Sequence, residues 1–285
     1  MDILLALLPA LFWGTIVLFN VKLGGGPYSQ TLGTTLGALI FSFVLYLIQQ
    51  PELTMTMIIV GVVSGMFWVL GQSNQLKSIQ LIGVSKTMPI STGLQLVSTA
   101  LFGVIVFREW KTTQSVILGL LAILLVIIGV IFTSYEQRKD GSKLWTADFK
   151  KGMAVLLLST LGYLLYVVTA RIFDVNGFEA LFPQAIGMCI GAVILTSKYK
   201  PYNKYAIKNI LPGLIWAAGN MFLFISQPRV GVATSFTLSQ MGIVISTLGG
   251  IWILGEDKTR KQIIFIMIGI VFIIGSAFLL GLTKT

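Results

Sequence analysis

Gly65-Met-Phe-Trp68-Val-Leu-Gly71-Gln72 and, 148 residues further on, Gly213-Leu-Ile-Trp216-Ala-Ala-Gly219-Asn220 carry one pattern: spaced glycines, a tryptophan, and an amide one helical turn after it. The register continues without a gap, so that Gly83-Val84 falls on Gly231-Val232, Ser91 on Ser239, and Ser98-Thr99 on Ser246-Thr247. Gly14 matches Gly162 at the same offset. An offset of 154 lays Gln30-x-x-Gly33-x-x-x-Gly37-Ala38-x-Ile40 on Gln184-x-x-Gly187-x-x-x-Gly191-Ala192-x-Ile194, and an offset of 147 lays Glu109-x-Lys111-Thr112 on Glu256-x-Lys258-Thr259. The chain is an internal duplication.

What was duplicated follows from the charges. Of 285 residues, 55% are hydrophobic and 11% charged, against roughly 25% charged in soluble domains. Charged positions leave ten uncharged stretches of at least 18 residues: 3–21, 23–51, 53–76, 87–107, 112–135, 152–170, 180–197, 209–228, 230–255 and 262–283. Each is long enough to cross a bilayer core as helix, which takes about 20 apolar residues. Outer-membrane strands would be about ten residues long and alternate in polarity, whereas Val116 to Phe132 is apolar all round. The sequence therefore predicts an all-α membrane protein of ten transmembrane helices. Residues 1–135 form a first five-helix repeat, 136–151 a cytoplasmic linker, and 152–285 a second five-helix repeat. Because five is odd, the second copy inserts upside down, giving inverted repeats about an axis in the membrane plane, the arrangement of many transporters. Residues 3–21 follow Met1-Asp2 directly with no basic start, so they read as a span and not as a removable signal peptide.

The net charge is +10. In a polar chain that surplus would suggest nucleic acid, but no loop here is long enough to be a solvated binding domain. Fifteen of the twenty Lys and Arg fall on one side of the span map, five of them in the linker. By the positive-inside rule that side is cytoplasmic, with both termini extracytoplasmic and the chain a multi-pass protein of the cell membrane. There is no His and one Cys, Cys189, which excludes a disulfide framework, a His/Cys metal site and a Ser-His-Asp triad. No phosphate-binding loop of the Gly-x-x-x-x-Gly-Lys type occurs, so the chain is not its own ATPase, and no cofactor is called for. Gly24-Gly25-Gly26-Pro27 reads as turn chemistry between two spans. The Gly33/Gly37 and Gly187/Gly191 pairs read as faces where helix backbones approach closely.

Polar side chains inside the spans need partners that lipid cannot supply. In the third helix Trp68, Gln72 and Gln75 lie at i, i+4 and i+7 and share a face, on which Trp13 of the first helix converges. Trp216 and Asn220 repeat the pair in the eighth helix. Ser91, Gln95, Ser98 and Thr99 make a polar stripe in the fourth, mirrored in part by Ser239, Ser246 and Thr247 in the ninth. Serine and threonine in such helices also bond their own backbone, and Ser98, Thr99, Ser246 and Thr247 lean to that structural reading. Trp110, Trp145 and Trp252 read as interfacial or packing residues. Aromatic faces with amides and hydroxyls, and few charges, suit a neutral polyhydroxylated ligand: an indole covers the C–H face of a sugar ring while the amides exchange hydrogen bonds with its hydroxyls.

No Asp, Glu or His lies mid-span. Glu109 and Glu256 sit at helix ends beside Arg108, Lys111, Lys258 and Arg260 and read as interfacial ion pairs, with a protonation role as the alternative. Lys86, three residues before Pro89, is expected to snorkel to the headgroups or to enter a water-filled vestibule.

Ala6-Leu-Leu-Pro9-Ala-Leu-Phe-Trp13-Gly14, the Gly65 to Gln72 motif and Lys86-Thr-Met-Pro89-Ile-Ser91-Thr-Gly93-Leu-Gln95 resemble the bacterial glucose uptake proteins of the drug/metabolite transporter superfamily, related to rhamnose–proton symporters. The resemblance covers the whole chain. It implies a secondary transporter importing glucose by symport with protons.

The expectation is an alternating-access importer of a small neutral sugar. Trp13, Trp68, Gln72, Gln95, Trp216, Asn220 and Gln240 line its substrate path, and Glu109, Glu256 and Lys86 are its candidates for proton coupling. An exporter of amino acids or other small metabolites is the rival within transport, although a cationic substrate would lack a midplane counter-charge. A membrane-embedded enzyme would need clustered His, Asp or Glu, and the chain has no such cluster. A channel or scaffold gives the duplicated Trp and amide pairs no task. Oligomeric state is left open.

Overall fold

The computed structural model describes residues 2–135 and 146–283; residues 136–145 of the expected linker, Trp145 and Lys284 lie outside that range. The described chain is helical: α1 (Asp2–Leu23), α2 (Pro27–Gln49), α3 (Met55–Ile82), α4 (Val84–Phe107), α5 (Thr113–Thr133), α6 (Ala147–Ile172), α7 (Leu181–Thr196), α8 (Lys204–Lys208), α9 (Ile210–Val230), α10 (Val232–Ser239), α11 (Gly242–Trp252) and α12 (Arg260–Leu282). Among the described residues nine helices are long and apolar enough to cross a membrane, counting α7 with the turn that follows it to Tyr199 and α8 with α9.

Local chemistry sets the ends. Pro27 starts α2 after the Gly24-Gly25 turn, whose two glycines have φ of 78° and 84°, a region that costs glycine little. Thr54, Thr112, Thr146 and Thr259 cap α3, α5, α6 and α12 through their hydroxyls, accepting backbone N–H groups that have no partner within the helix. The cap at Thr146 starts α6 five residues earlier than the uncharged run, inside the expected linker. Its Lys150 and Lys151 are helical.

The uncharged run 230–255 does not form one helix. It is divided into α10 and α11, and between them the backbone bonds tighten to i→i−3, with Met241 N donating to Leu238 O at 3.1 Å and Val244 N to Met241 O at 3.1 Å. Gly242 lies there against the backbone of Ala10 and Gly14 in α1. A close crossing at that point fixes the break, and hydropathy does not register it.

Packing follows the glycines. Gly65 of α3 lies against the Gln184 carbonyl of α7, and Gly187 of α7 against Val62 of α3; Gly213 of α9 lies against Thr34 and Gly37 of α2, and Gly33 and Gly37 against α8 and the start of α9. Any Cβ at these positions would collide with backbone, as expected of small-residue crossings in membranes. α3 packs on α6 and α7 as α9 packs on α1 and α2, while α5 pairs with α12 and α2 with α7. Large apolar side chains such as Ile105, Ile131 and Val271 face outward and are exposed, while Gln72, Gln75, Asn20, Asn209 and Asn220 are buried. This distribution suits a surrounding lipid and a polar interior.

Candidate functional site

α3 carries the centre. Helical spacing stacks Trp68, Gln72 and Gln75 on its inward face, and all three are buried. The Trp68 ring meets Trp216 of α9 edge-on with centroids 5.1 Å apart, and Tyr163 of α6 at 6.4 Å, separations at which aromatic quadrupoles attract. Gly71 and Gly162 permit this arrangement, since their backbones touch where α3 crosses α6 and Gly71 lies under the Tyr163 ring. Ser159 one turn earlier donates to the Gly71 carbonyl at 2.7 Å.

A hydrogen-bond relay runs from this aromatic cluster toward α4. The Tyr163 hydroxyl donates to Gln72 Oε1 at 2.6 Å and lies 3.2 Å from Gln75 Oε1. Gln75 Nε2 donates to Ser91 Oγ at 2.8 Å, and Gln95 Nε2 donates to the same oxygen at 3.0 Å. One amide end stays over. Gln72 Nε2 is buried and has no partner, and turning the amide round would leave its oxygen unpaired instead. A buried polar group in that condition costs about 1–3 kcal/mol, which a hydroxyl brought by a ligand would recover.

The other expected site residues are placed around this relay with different degrees of engagement. Trp13 is half-buried, with Nε1 3.3 Å from the Trp216 carbonyl, and lies against Gly219. Asn220 is buried, with its amide donating to the Trp216 carbonyl at 2.9 Å. Gln95 closes the α4 end of the relay. Gln240 stands at the break between α10 and α11, half-buried, and its amide reaches Ser239 at 3.3 Å, outside the relay from Tyr163 to Gln95. Ser98 and Ser246 bond carbonyls of their own helices, the structural reading. Thr247 Oγ1 is buried without a partner. Trp252 is exposed, and Trp110 packs on Gly119 of α5. The apolar groove of Leu39, Ile40, Phe43, Phe182 and Ile186 lies along α2 and α7, away from these residues.

The ionisable candidates lie off the relay. Glu109 pairs with Arg171 at the end of α6, a partner from the other half and not the neighbouring Arg108 or Lys111. The Glu256 carboxylate accepts from Val84 N, from Ser85 N at 3.1 Å and from Ser85 Oγ. Lys86 is buried at 8% exposure. That corrects the expectation that it reaches the headgroups: the whole first turn of α4 is buried, with Val84 and Ser85 packed under Gly250 and Glu256. Among the described residues no group of three or more His, Cys, Asp or Glu could hold a metal ion.

Tyr163 was not singled out in the sequence, although a signal existed. Ser159, Tyr163 and Tyr166 lie at i, i+4 and i+7 in an apolar helix, the spacing of Trp68, Gln72 and Gln75. Its repeat position is Thr15 and not another aromatic residue, so the duplication does not mark it.

The profile of a family described as "Sugar transport protein" matches residues 4–283. The chain is similar to the glucose uptake protein GlcU of Bacillus subtilis, 69% identical over all of this chain and 99% of that one. It is similar to a probable glucose uptake protein GlcU of Bacillus cereus, 68% identical over the full length of both, and to a putative sugar uptake protein of the same species at 59%, again over both full lengths. A solved crystal structure at 14% identity superposes on 98% of this chain and 97% of its own with a TM-score of 0.66; at that identity it shows the fold alone.

Proposed function

This multi-pass membrane protein belongs to the sugar transport protein family, and from that premise we propose that it imports glucose or a similar neutral monosaccharide by alternating access. It is a transporter and not an enzyme, as its relatives are. The observation that carries the reading is the unpaired amide end of Gln72, buried at 4% exposure beside the Trp68 and Tyr163 rings. Aromatic faces and neutral donors suit a sugar, which brings hydroxyls and C–H faces and no charge to be neutralised. Trp68 and Trp216 stack, Gln72, Gln95 and Asn220 read hydroxyls, and Trp13 and Gln240 stand at the margins of the path. Tyr163 joins them as the residue that orients Gln72.

The transport cycle proposed here uses ten spans in two inverted five-helix repeats. α10, α11 and the turn between them serve as one broken span: residues 232–252 at about 1.5 Å per residue reach the thickness of a bilayer core. Support comes from the matching sequence registers and from the packing, in which α3 on α6 and α7 is answered by α9 on α1 and α2. The relay joins Tyr163 of the second half to Gln72, Gln75 and Ser91 of the first, so a site there lies between the halves, where inverted-repeat transporters bind. The excess of Lys and Arg on one side orients both termini outside. Symport with protons completes the proposal, with Glu109, Glu256 and Lys86 as the groups available to carry them.

The test is uptake of labelled glucose and of a labelled amino acid into proteoliposomes, each with and without an imposed pH gradient. Glucose uptake accelerated by an inward proton gradient is the expected result. Uptake indifferent to the gradient removes the proton step and leaves a facilitator, and amino-acid uptake without glucose uptake overturns the assignment.

A further inference from the structure

Glu109 and Glu256 occupy matching places in the two halves and are held alike within their own half. Glu109 N donates to the Gly103 carbonyl at 3.3 Å and Glu256 N to the Gly250 carbonyl at 3.2 Å; each carboxylate folds back over that same glycine. What each carboxylate meets in the opposite half differs. Glu256 occupies the start of α4, accepting from Val84 N, Ser85 N and Ser85 Oγ, and its carboxyl group fills the space beside Gly83, where an added Cβ would sit 3.0 Å from Cδ. Among the described residues, nothing lies within 4 Å of the matching place beside Gly231, at the start of α10. Gly83 and Gly231 have the same backbone, with φ of 81° and 86°, so the two helices start in the same way while the occupancy of their starts differs. Exposure follows suit: Val84 to Thr87 are buried, whereas Gly231 and Thr234 are exposed. Glu109 is instead paired with Arg171, whose repeat position, Leu23, offers no charge.

We propose that Glu256 and Glu109 form a reciprocal gate, each docking in turn on the N-terminal amides of the opposite half's fourth helix, and that the structure holds the Glu256 side docked and the Glu109 side released. A helix start carries partial positive charge and unpaired N–H groups. A carboxylate seated there makes charge-assisted bonds and ties the two halves together at that end. On the orientation proposed above, on which this inference rests, Glu256 closes the cytoplasmic end and the extracytoplasmic end is open. In the opposite state Glu109 leaves Arg171 for the amides of Val232 and Ala233 while Glu256 leaves α4. The two seats are unequal: Ser85 gives Glu256 a hydroxyl that the repeat residue Ala233 cannot give, and Arg171 gives Glu109 an alternative. Both inequalities favour the state seen.

The reporter is Thr234→Cys in a protein whose single native cysteine is removed by Cys189→Ser, labelled from outside intact cells by a membrane-impermeant maleimide. The expected result is ready labelling that slows on adding Glu256→Gln, by about two-fold when a ten-fold shift in the equilibrium takes the open state from about nine in ten to one in two, the effect of exchanging a hydrogen bond to a charged group for a neutral one. Arg171→Leu should slow it as well, by freeing Glu109 to dock, and adding Glu109→Gln to Arg171→Leu should restore it. That second series leaves Glu256 intact and stands if the Glu256 variant does not fold. A residue needed only for stability would lower the yield without this pattern of slowing and restoration. Labelling unchanged by Arg171→Leu, or not restored by Glu109→Gln, overturns the gate. The labelling uses no sugar, so a protein that switches in this way but carries no glucose would sink the substrate reading and leave the gate standing.

Discussion

Replacing Tyr163 with Phe removes one oxygen and leaves the ring in place against Trp68 and over Gly71. The lost hydroxyl donates to Gln72 Oε1 at 2.6 Å and is 3.2 Å from Gln75 Oε1. Gln75 keeps its bond to Ser91 at 2.8 Å, so the loss falls mainly on Gln72. That amide already has one unpaired end and would then have two, at a cost of about 1–3 kcal/mol for the newly orphaned oxygen. If Gln72 reads a sugar hydroxyl, the substitution also removes what aims it. A sugar hydrogen bond forfeited because Gln72 is no longer aimed costs about 1.4 kcal/mol, which is about ten-fold in affinity. The expected outcome is a KM for glucose raised about ten-fold, with folded yield retained, measured by initial uptake rates in proteoliposomes at matched protein content. Tyr166→Phe is the comparison, because it removes an equivalent oxygen from the same helix, α6, without touching the bond from Tyr163 to Gln72. An unchanged KM in Tyr163→Phe, or the same rise in both proteins, refutes the assignment of Gln72 and Tyr163 to the sugar path.

Trp68→Ala should raise the KM for glucose by about ten-fold, and Trp68→Phe by less, since a smaller aromatic face keeps part of the stacking; uptake kinetics of the two purified proteins check the order. Gly187→Leu should abolish folded protein, because its side chain would enter the backbone of Val62, whereas Gly26→Ala meets nothing within 4 Å at a φ of −80° and should leave the yield unchanged; size-exclusion chromatography of detergent extracts separates the two. A reporter fused after Thr285 should be active only outside the cytoplasm, and activity inside would reverse the proposed orientation.

Nine long apolar helices were legible because charge is expensive in lipid, so uncharged runs mark helices without any knowledge of their packing. The Gly33/Gly37 and Gly187/Gly191 pairs were legible as crossings for a related reason: small residues let backbones meet, and they do. The break between α10 and α11 was not, because Gly242 against Gly14 is a contact between distant segments and the run around it is uncharged throughout. Trp68, Gln72 and Gln75 were found by helical spacing. Tyr163 follows the same spacing on α6 but lies outside the duplicated pattern, its repeat position being Thr15. Lys86 was misplaced because snorkelling describes a side chain at an open helix end, and the start of α4 is covered by Gly250 and Glu256. Glu109 was expected to pair with a sequence neighbour, whereas the fold brings it Arg171 from the other half.

Exchange of labelled glucose across proteoliposomes preloaded with unlabelled glucose, by the wild-type protein and by Gln72→Leu side by side, tests the central claim most directly because exchange needs no driving gradient. The account predicts rapid, protein-dependent exchange by the wild type and, for the variant, a concentration dependence shifted upward by about ten-fold, the loss of one buried polar partner. Absence of exchange by the wild type, or an unshifted curve for Gln72→Leu, would contradict it.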